Sequence, residues 1–118
     1  MLELKLVGEC PSMNKTVSGK LIILSNLEEA TTYITTMKIN SSKILVTHQI
    51  DWTWTRVLKH FVGCITNHGT RVSRAAEVLA IMMLPGALGT KNATTILQPE
   101  VFAQIICKGN QAQVYIHT

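Results

Sequence analysis

The chain has 118 residues, of which 47% are hydrophobic and 15% charged, and its formal net charge at pH 7 is +4. A chain of this length can bury the core of one domain, and its apolar content is too high for a disordered protein. The excess of positive charge is small. The chain has no run of lysine and arginine and no interleaving of basic and aromatic residues, so we expect no nucleic-acid partner.

The cysteines and the N-terminal stretch bear on the compartment. Cys10, Cys64 and Cys107 are scattered without a C-x-x-C pair. An odd, unpatterned set argues against a disulfide framework and predicts a reducing, cytoplasmic compartment. The start of the chain lacks a basic stretch followed by a long apolar run, so we expect no signal peptide. No run of about 18 apolar residues is present, so we also expect no membrane association.

Strand and helix signals alternate along the first part of the chain. Residues 20–24 and residues 43–47 are short apolar runs, and each predicts a buried strand. Before them, alternating leucines predict a first strand, at Leu2, Leu4 and Leu6. Between them, Asn26 is suited to cap a helix. Its apolar residues recur at helical spacing, namely Leu27, Ala30, Ile34 and Met37.

The second part of the chain continues the alternation and ends differently. Asp51 is suited to cap a helix over residues 52–60, and residues 61–66 predict a third core strand. A further helix is predicted over residues 73–83, where a Pro-Gly pair stops it. The remaining predicted elements are a short strand over residues 86–90, one or two helical turns over residues 93–97, and a hairpin whose strands cover residues 101–107 and 113–116.

This order of elements predicts the fold class. Strands that alternate with helices indicate a layered α/β domain, here with an antiparallel hairpin at its C terminus. We see no internal repeat or linker, so the prediction is one domain over residues 1–118. Trp52 and Trp54 cannot both face the core from one short helix, so we expect one of them at the surface.

Residues 66–94 carry the most specific pattern in the chain, TNHGTRVSRAAEVLAIMMLPGALGTKNAT. A polar loop, a helix start, an apolar helix, a Leu-Pro break and a Gly-Thr-x-Asn-Ala-Thr loop follow one another. This order resembles, without a gap, the phosphohistidine segment of the PEP-utilising enzymes, the mobile domain of PEP synthase and pyruvate phosphate dikinase. That segment reads roughly T-D-x-G-G-x-T-S-H-A-A, then G-I-P-A, then V-G-T-x-N-A-T. The resemblance implies a swivelling β/β/α domain of the phosphohistidine type.

The resemblance also shows where this chain departs from the family pattern. Arg74 stands in the place of the phosphorylated histidine, and a guanidinium that stays protonated cannot accept a phosphoryl group as imidazole does. Asn67, Thr70 and Val72 replace an acidic residue, a glycine and a threonine of the pattern. The resemblance thus implies a carrier domain of a phosphotransferase that has lost its carrier residue. We expect a pseudoenzyme without a catalytic residue of its own.

The loop and helix start nevertheless keep features that suit an anion. Unpaired N–H groups at a helix start, two hydroxyls and two guanidiniums can all donate to phosphate. The predicted site for phosphate or a phosphorylated ligand consists of Thr70, Arg71, Ser73, Arg74 and Ala75, and the fold could bring Lys91 near it. The alternative is a solvated edge, because cations at a helix start are mildly unfavourable without an anion.

Three further interpretations concern nearby residues. His68, on the loop, is the candidate surrogate for the missing histidine, against the alternative of a plain surface histidine. The other histidines show no ligand spacing with one another or with cysteine, so we expect no metal ion and no cofactor. In the Gly89-Thr90-x-Asn92 loop, we expect glycine to supply backbone freedom and Asn92 to cap the next helical turn.

Two classes of function are open from the sequence. The chain is either a carrier-domain descendant kept as an anion-binding or interaction module, or an excised or split part of a PEP-utilising phosphotransferase. In the second class, His68 or a partner chain would supply the chemistry. The resemblance implies nucleotide-binding and PEP/pyruvate-binding domains, in the same or another chain, as partners. Without them, we expect no enzymatic reaction from this chain.

Overall fold

The computed structural model of the chain describes residues 1–11, 14–36 and 42–117. Its strands are β1 (Leu2–Glu9), β2 (Lys15–Ile23), β3 (Lys43–Thr47), β4 (Gly63–Thr66), β5 (Gly86–Ala87), β6 (Phe102–Lys108) and β7 (Gln111–His117). Its helices are α1 (Leu27–Thr36), a 3-10 turn (Trp52–Trp54) that runs into α2 (Thr55–Leu58), α3 (Arg74–Ile81) and α4 (Ala93–Ile96). In these ranges, no helix is long and apolar enough to cross a membrane.

All the strands join one sheet in the order β1-β7-β6-β2-β3-β4-β5. The pairs from β2 to β5 are parallel, and β1, β7, β6 and β2 pair antiparallel to one another. Glu9, at the end of β1, exchanges backbone hydrogen bonds of 2.7 and 2.9 Å with Leu88, directly after β5. The two outer strands of the sheet therefore meet at one end, and the sheet curls towards a barrel.

The two faces of the sheet pack against different partners. Ile44 and Val46 of β3 point into the curled sheet, where they meet apolar residues of the hairpin strands. Leu45, between them, points to the other face and packs with α2 and α3. Parallel strands laid down in sequence order, with right-handed crossovers, place α1, α2 and α3 on one face. Each face of the parallel half is thus buried, as its short apolar runs predict.

The predicted fold class is confirmed, including the layered α/β arrangement and the C-terminal hairpin. Several strand and helix bounds differ from the predicted ones because they depend on contacts that the local sequence pattern does not contain. β2 begins at Lys15 rather than at residue 20, because it pairs with β6 from Lys15 to Lys20. The helix predicted over residues 73–83 stops at Ile81, and Met83 has a positive φ of 57°. Met37, expected in the first helix, lies outside the described residues.

The predicted caps at Asn26 and Asp51 and the tryptophan prediction are confirmed. The Asn26 side chain accepts a hydrogen bond of 2.8 Å from the Glu29 amide. The Asp51 side chain accepts one of 2.8 Å from the Thr53 amide, at the start of the 3-10 turn. Trp54 is buried, with 6% of its surface exposed, whereas Trp52 is 43% exposed.

The three cysteines are buried thiols. Burial raises the pKa of the Cys107 thiol to about 12, and the neighbouring Cys10 adds to this effect. Burial also raises the pKa of the Cys64 thiol. Both thiols therefore stay protonated in the folded protein at pH values where an exposed cysteine is ionised.

We expect the free energy of unfolding to fall as the pH rises above 9, the ordinary thiol pKa that applies in the unfolded chain. Above that pH, the folded state holds more protons than the unfolded state, so each thiol removes up to about 1.4 kcal/mol per pH unit. Urea unfolding at several pH values between about 8 and 11 measures the slope. The Cys107→Ala variant is the control, because lysine and tyrosine titrate equally in both proteins. An equal slope in the two proteins would contradict the prediction.

Candidate functional site

Loops at the carboxyl ends of the parallel strands form a cleft of about 570 Å³. β3 and β4 end side by side, since Thr47 pairs with Thr66. Ligands in open α/β sheets bind at this edge, outside the carboxyl ends of the strands. The cleft is lined by residues 25–27, 48–51, 54, 68, 69 and 73–75.

The loop before α3 is held mainly by bonds within itself. The Ser73 hydroxyl donates to the Thr70 carbonyl at 2.7 Å and accepts from the Thr70 amide at 3.1 Å. The Thr70 hydroxyl oxygen accepts from the Val72 amide at 3.3 Å. Ser73 has an extended backbone and directly precedes α3, but its side chain makes no capping hydrogen bond to the helix. The hydroxyl proton of Ser73 is instead donated to the Thr70 carbonyl oxygen.

Because Ser73 does not cap α3, the first amides of the helix remain unpaired. No acceptor within the described ranges bonds to the backbone N–H of Arg74 or Ala75. Helix starts of this kind attract anions through their N–H groups and through the helix dipole. The predicted helix start with an open first turn is therefore present at the cleft.

The residues of the predicted anion site are divided by the fold. Ser73, Arg74 and Ala75 line the cleft, whereas Thr70, Arg71 and Lys91 do not. The backbone amide of Arg71 donates to a carboxylate oxygen of Glu9 at 3.1 Å, which places this residue beside the end of β1. Arg74 is thus the cation that the structure places at the cleft.

Arg74 faces a cleft that also holds the acidic residue Asp51. Hydrogen bonds from Thr53 are the main cause that lowers the pKa of the Asp51 carboxyl, and the charge of Arg74 lowers this pKa further. The two charges do not form an ion pair, since the salt bridges in the described ranges join Lys5 to Glu3 and Lys43 to Glu100. Neither Asp51 nor Arg74 is therefore engaged in a salt bridge within the described ranges.

Asn67, directly after β4, ties three loops together. It is 7% exposed, and its Oδ1 accepts a hydrogen bond of 3.1 Å from the Thr94 amide. Its Nδ2 donates to the Thr94 hydroxyl at 2.7 Å and contacts His48 Nδ1 at 3.0 Å. The expected cap of this helical turn was wrong: Asn92 makes no capping bond, and Asn67 bonds the second amide of α4 instead.

The same contacts determine which ring nitrogen of neutral His48 carries the proton. A backbone amide can only donate, so the bond from Thr94 fixes which end of the Asn67 side chain is the oxygen. The Asn67 nitrogen therefore donates to His48 Nδ1, which must accept. Neutral His48 then carries its proton on Nε2, and His48 is one of the residues that line the cleft.

His68, the candidate surrogate, also lines the cleft. Its amide donates to the His48 carbonyl at 3.0 Å, and its carbonyl accepts from the Thr66 hydroxyl at 2.6 Å. Its side chain is exposed, so the backbone alone positions it. No group of three or more metal-binding side chains occurs in the part of the chain that the structure describes.

The loop after β5 lies against the loop after β4. The amide and hydroxyl of Thr90 both donate to the Thr66 carbonyl, at 3.1 and 2.9 Å. Gly89 has a φ of 67°, and a Cβ there would collide with the carbonyl oxygen of Gly69. The prediction that glycine supplies backbone freedom in this loop agrees with this geometry.

Comparison with known proteins identifies the relatives of this fold and site. Residues 39–111 match the family model of the PEP-utilising enzyme, mobile domain. The chain is 32% identical over 103 residues to the phosphoenolpyruvate synthase of Aquifex aeolicus (strain VF5), which covers 86% of this chain and 11% of that protein. It is 31% identical over 70 residues to the phosphoenolpyruvate synthase of Pseudomonas aeruginosa (strain UCBPP-PA14), which covers 59% of this chain and 9% of that protein. The chain thus spans about a tenth of the length of these relatives.

A solved structure provides an independent comparison of the fold. Aconitase X of Thermococcus kodakaraensis, in its holo-form, superposes with a TM-score of 0.62 and covers 94% of this chain and 96% of that chain. Sequence identity is 13%, so this likeness concerns the fold alone. The family match covers more than half of the chain and includes the whole loop-and-helix segment at the cleft, and the chain therefore belongs to the mobile-domain family of the PEP-utilising enzymes.

Proposed function

We propose that this domain descends from a phosphoryl carrier, is not phosphorylated itself, and binds an anionic group at the start of α3. The observation that carries the proposal is the placement of Arg74. It is the first residue of α3, it lines the cleft, and it stands where the resemblance puts the phosphohistidine. The domain is then a pseudoenzyme that serves as a binding or interaction module.

The chemistry of arginine supports this proposal. A guanidinium has five N–H donors and no basic lone pair, so it can hold a phosphate or carboxylate, but while protonated it cannot attack a phosphoryl group as neutral imidazole does. A cation at a helix start is unfavourable by roughly 0.3–1 kcal/mol unless an anion offsets it. A bound anion would neutralise Arg74 and also accept from the unpaired amides of Arg74 and Ala75.

The donors at this site differ in their availability. Ser73 donates to Thr70, so its hydroxyl would have to rotate before it could donate to a bound anion. The backbone amide of Arg71 donates to the Glu9 carboxylate, and the Arg71 side chain is exposed. We therefore assign most of the affinity to Arg74. Because Arg74 is exposed, the affinity should be weak, and salt should weaken it further.

A titration with inorganic phosphate at low ionic strength, followed by amide NMR shifts, tests the anion-binding part. We expect the shifts to cluster over residues 70–76 and to disappear in Arg74→Ala. Arg71→Ala is the matched control, since it removes the same charge outside the cleft and should keep most of the response. Shifts that scatter over all basic surfaces, or that survive the loss of Arg74, would refute this site.

Intact-mass measurement tests whether the domain is unphosphorylated. The chain is incubated with PEP or ATP and a complete PEP-utilising enzyme, and we expect no phosphoryl adduct on it. An adduct on His68 would overturn the proposal and would make that histidine the surrogate carrier. Samples are kept at neutral or alkaline pH, because phosphohistidine is hydrolysed in acid.

A second candidate function is a split part of a PEP-utilising phosphotransferase. The observation in its favour is that the chain spans about a tenth of the phosphoenolpyruvate synthases it matches. In this case, residues 1–118 form a single mobile domain whose partners are nucleotide-binding and PEP/pyruvate-binding domains of the same or another chain. We place either version in the cytoplasm, on the strength of its unpatterned cysteines. Finding those domains encoded beside this chain would favour the second candidate.

A further inference from the structure

The cleft at α3 holds two opposite charges, Asp51 and Arg74, that no salt bridge joins. Asp51 Oδ1 accepts the hydrogen bonds from the amide and hydroxyl of Thr53. Its second oxygen, Oδ2, accepts no hydrogen bond from the described residues. Arg74 acts on the Asp51 carboxyl electrostatically, but no salt bridge joins them. One anionic and one cationic side chain, both exposed and neither in a salt bridge within the described ranges, therefore share a single cleft.

The other walls of the cleft provide a donor and an apolar surface. His48 is among the residues that line the cleft, and because Asn67 bonds its Nδ1, the Nε2–H of the neutral ring is its remaining side-chain donor. Ile50 and Trp54 are buried residues of the lining, with 5% and 6% exposed. A hydrocarbon segment can rest against them. The volume of about 570 Å³ lies in the range of small-molecule sites.

The charge balance of the lining decides which ligand fits. Arg74 and Asp51 are its charged residues when the histidines are neutral. A simple anion on Arg74 would be repelled by Asp51, and a simple cation on Asp51 would be repelled by Arg74. A molecule with both charges meets an opposite charge at each end, so its two attractions add.

We infer that this cleft binds a small zwitterion, with its phosphate or carboxylate on Arg74 and the start of α3 and its ammonium group on Asp51. A short carbon chain between the two charges would lie against Ile50 and Trp54. This inference rests on the proposed function, because it uses Arg74 as the group that holds the anion. It adds the class of ligand and a role for Asp51.

Matched probes separate a zwitterion site from a simple anion site. O-phosphoethanolamine and β-alanine carry both charges, with a phosphate in one and a carboxylate in the other. Inorganic phosphate, acetate and ethylammonium each carry charge of one sign only. We expect one of the zwitterions to bind at least tenfold more tightly than every probe whose charge has one sign, with amide shifts at His48, Asp51 and Arg74. The better of the two identifies the acid group that the cleft accepts.

Two variants are expected to change the affinity for phosphate in opposite directions. Asp51→Asn keeps a good cap for the 3-10 turn but loses the charge. It should weaken the zwitterion at least tenfold and strengthen phosphate, whereas Arg74→Ala should weaken both. Glu77→Gln is the control, because it removes an exposed carboxylate on α3 that does not line the cleft.

Each outcome bears on the inference separately from the proposed function. If phosphate binds as tightly as the zwitterions and Asp51→Asn weakens nothing, the zwitterion site is refuted while anion binding stands. If no probe shifts the cleft amides, both the zwitterion site and the anion-binding part of the proposed function are refuted. The mass measurement with PEP still decides independently whether the domain is unphosphorylated.

Discussion

The Arg74→His variant is expected to take up a phosphoryl group from PEP in the presence of a complete PEP-utilising enzyme, whereas the natural chain takes up none. Position 74 is the first residue of α3, exposed beside an open cleft. The buried Ala75 and Ala76 that follow keep the first helical turn slim. An imidazole there would present a neutral nitrogen, and the unpaired amides and helix dipole would favour the phosphoryl group it receives. The expected labelling rises from background to a measurable fraction of the chain by intact mass.

Three further variants make this result interpretable. Arg74→Ala and Arg74→Lys remove the guanidinium without adding an imidazole, so both should remain unlabelled. Arg74→His combined with His68→Ala should be labelled like Arg74→His alone, because the new imidazole is the acceptor. Labelling that disappears in the double variant would assign the reaction to His68. Absence of labelling in every variant, including Arg74→His, would contradict the prediction.

Much of the fold could be predicted because its signals are local. The order of strands and helices follows from short apolar runs separated by caps, and Asn26 and Asp51 cap as their side-chain chemistry predicts. Helical spacing also predicts that one of Trp52 and Trp54 is exposed, although it does not say which, and Trp52 is the exposed one. The extension of β2 and the contact of Glu9 with Leu88 could not be predicted, because they depend on the register of strands distant in sequence.

For the candidate site, the position of the helix start was predictable, but the set of residues that line the cleft was not. The pattern of residues 66–94 places a helix start after β4, and α3 begins there. No local sequence pattern predicts that Asp51 lies at this cleft or that the Arg71 amide bonds Glu9. Both placements depend on segments that are distant in sequence and become neighbours only when the sheet forms. The role of Asn67 was likewise missed: an asparagine after a strand looks like a turn residue until its partners are known.

Asn67→Ala is expected to lower the free energy of unfolding by about 2–3 kcal/mol. The substitution removes the bond that caps the Thr94 amide and the two bonds that Nδ2 makes to the Thr94 hydroxyl and His48 Nδ1. A missing cap costs roughly 1 kcal/mol, and polar groups left unpaired in a part-buried site cost a similar amount each. The expected loss is therefore larger than that of an ordinary surface change, which stays within about 0.5 kcal/mol.

Urea unfolding of Asn67→Ala and His68→Ala measures this difference at adjacent positions of one loop. His68 has an exposed side chain and is held by its backbone, so its truncation should change stability by less than about 0.5 kcal/mol. Nitrogen NMR of His48 provides a second readout, because the natural chain should show the proton on Nε2 and Asn67→Ala should lose this preference. Equal stabilities for the two variants, or a proton on Nδ1 of His48 in the natural chain, would contradict the role assigned to Asn67. A confirmed result would mean that one buried amide both joins the loops of the cleft and sets the donor that His48 presents to a ligand.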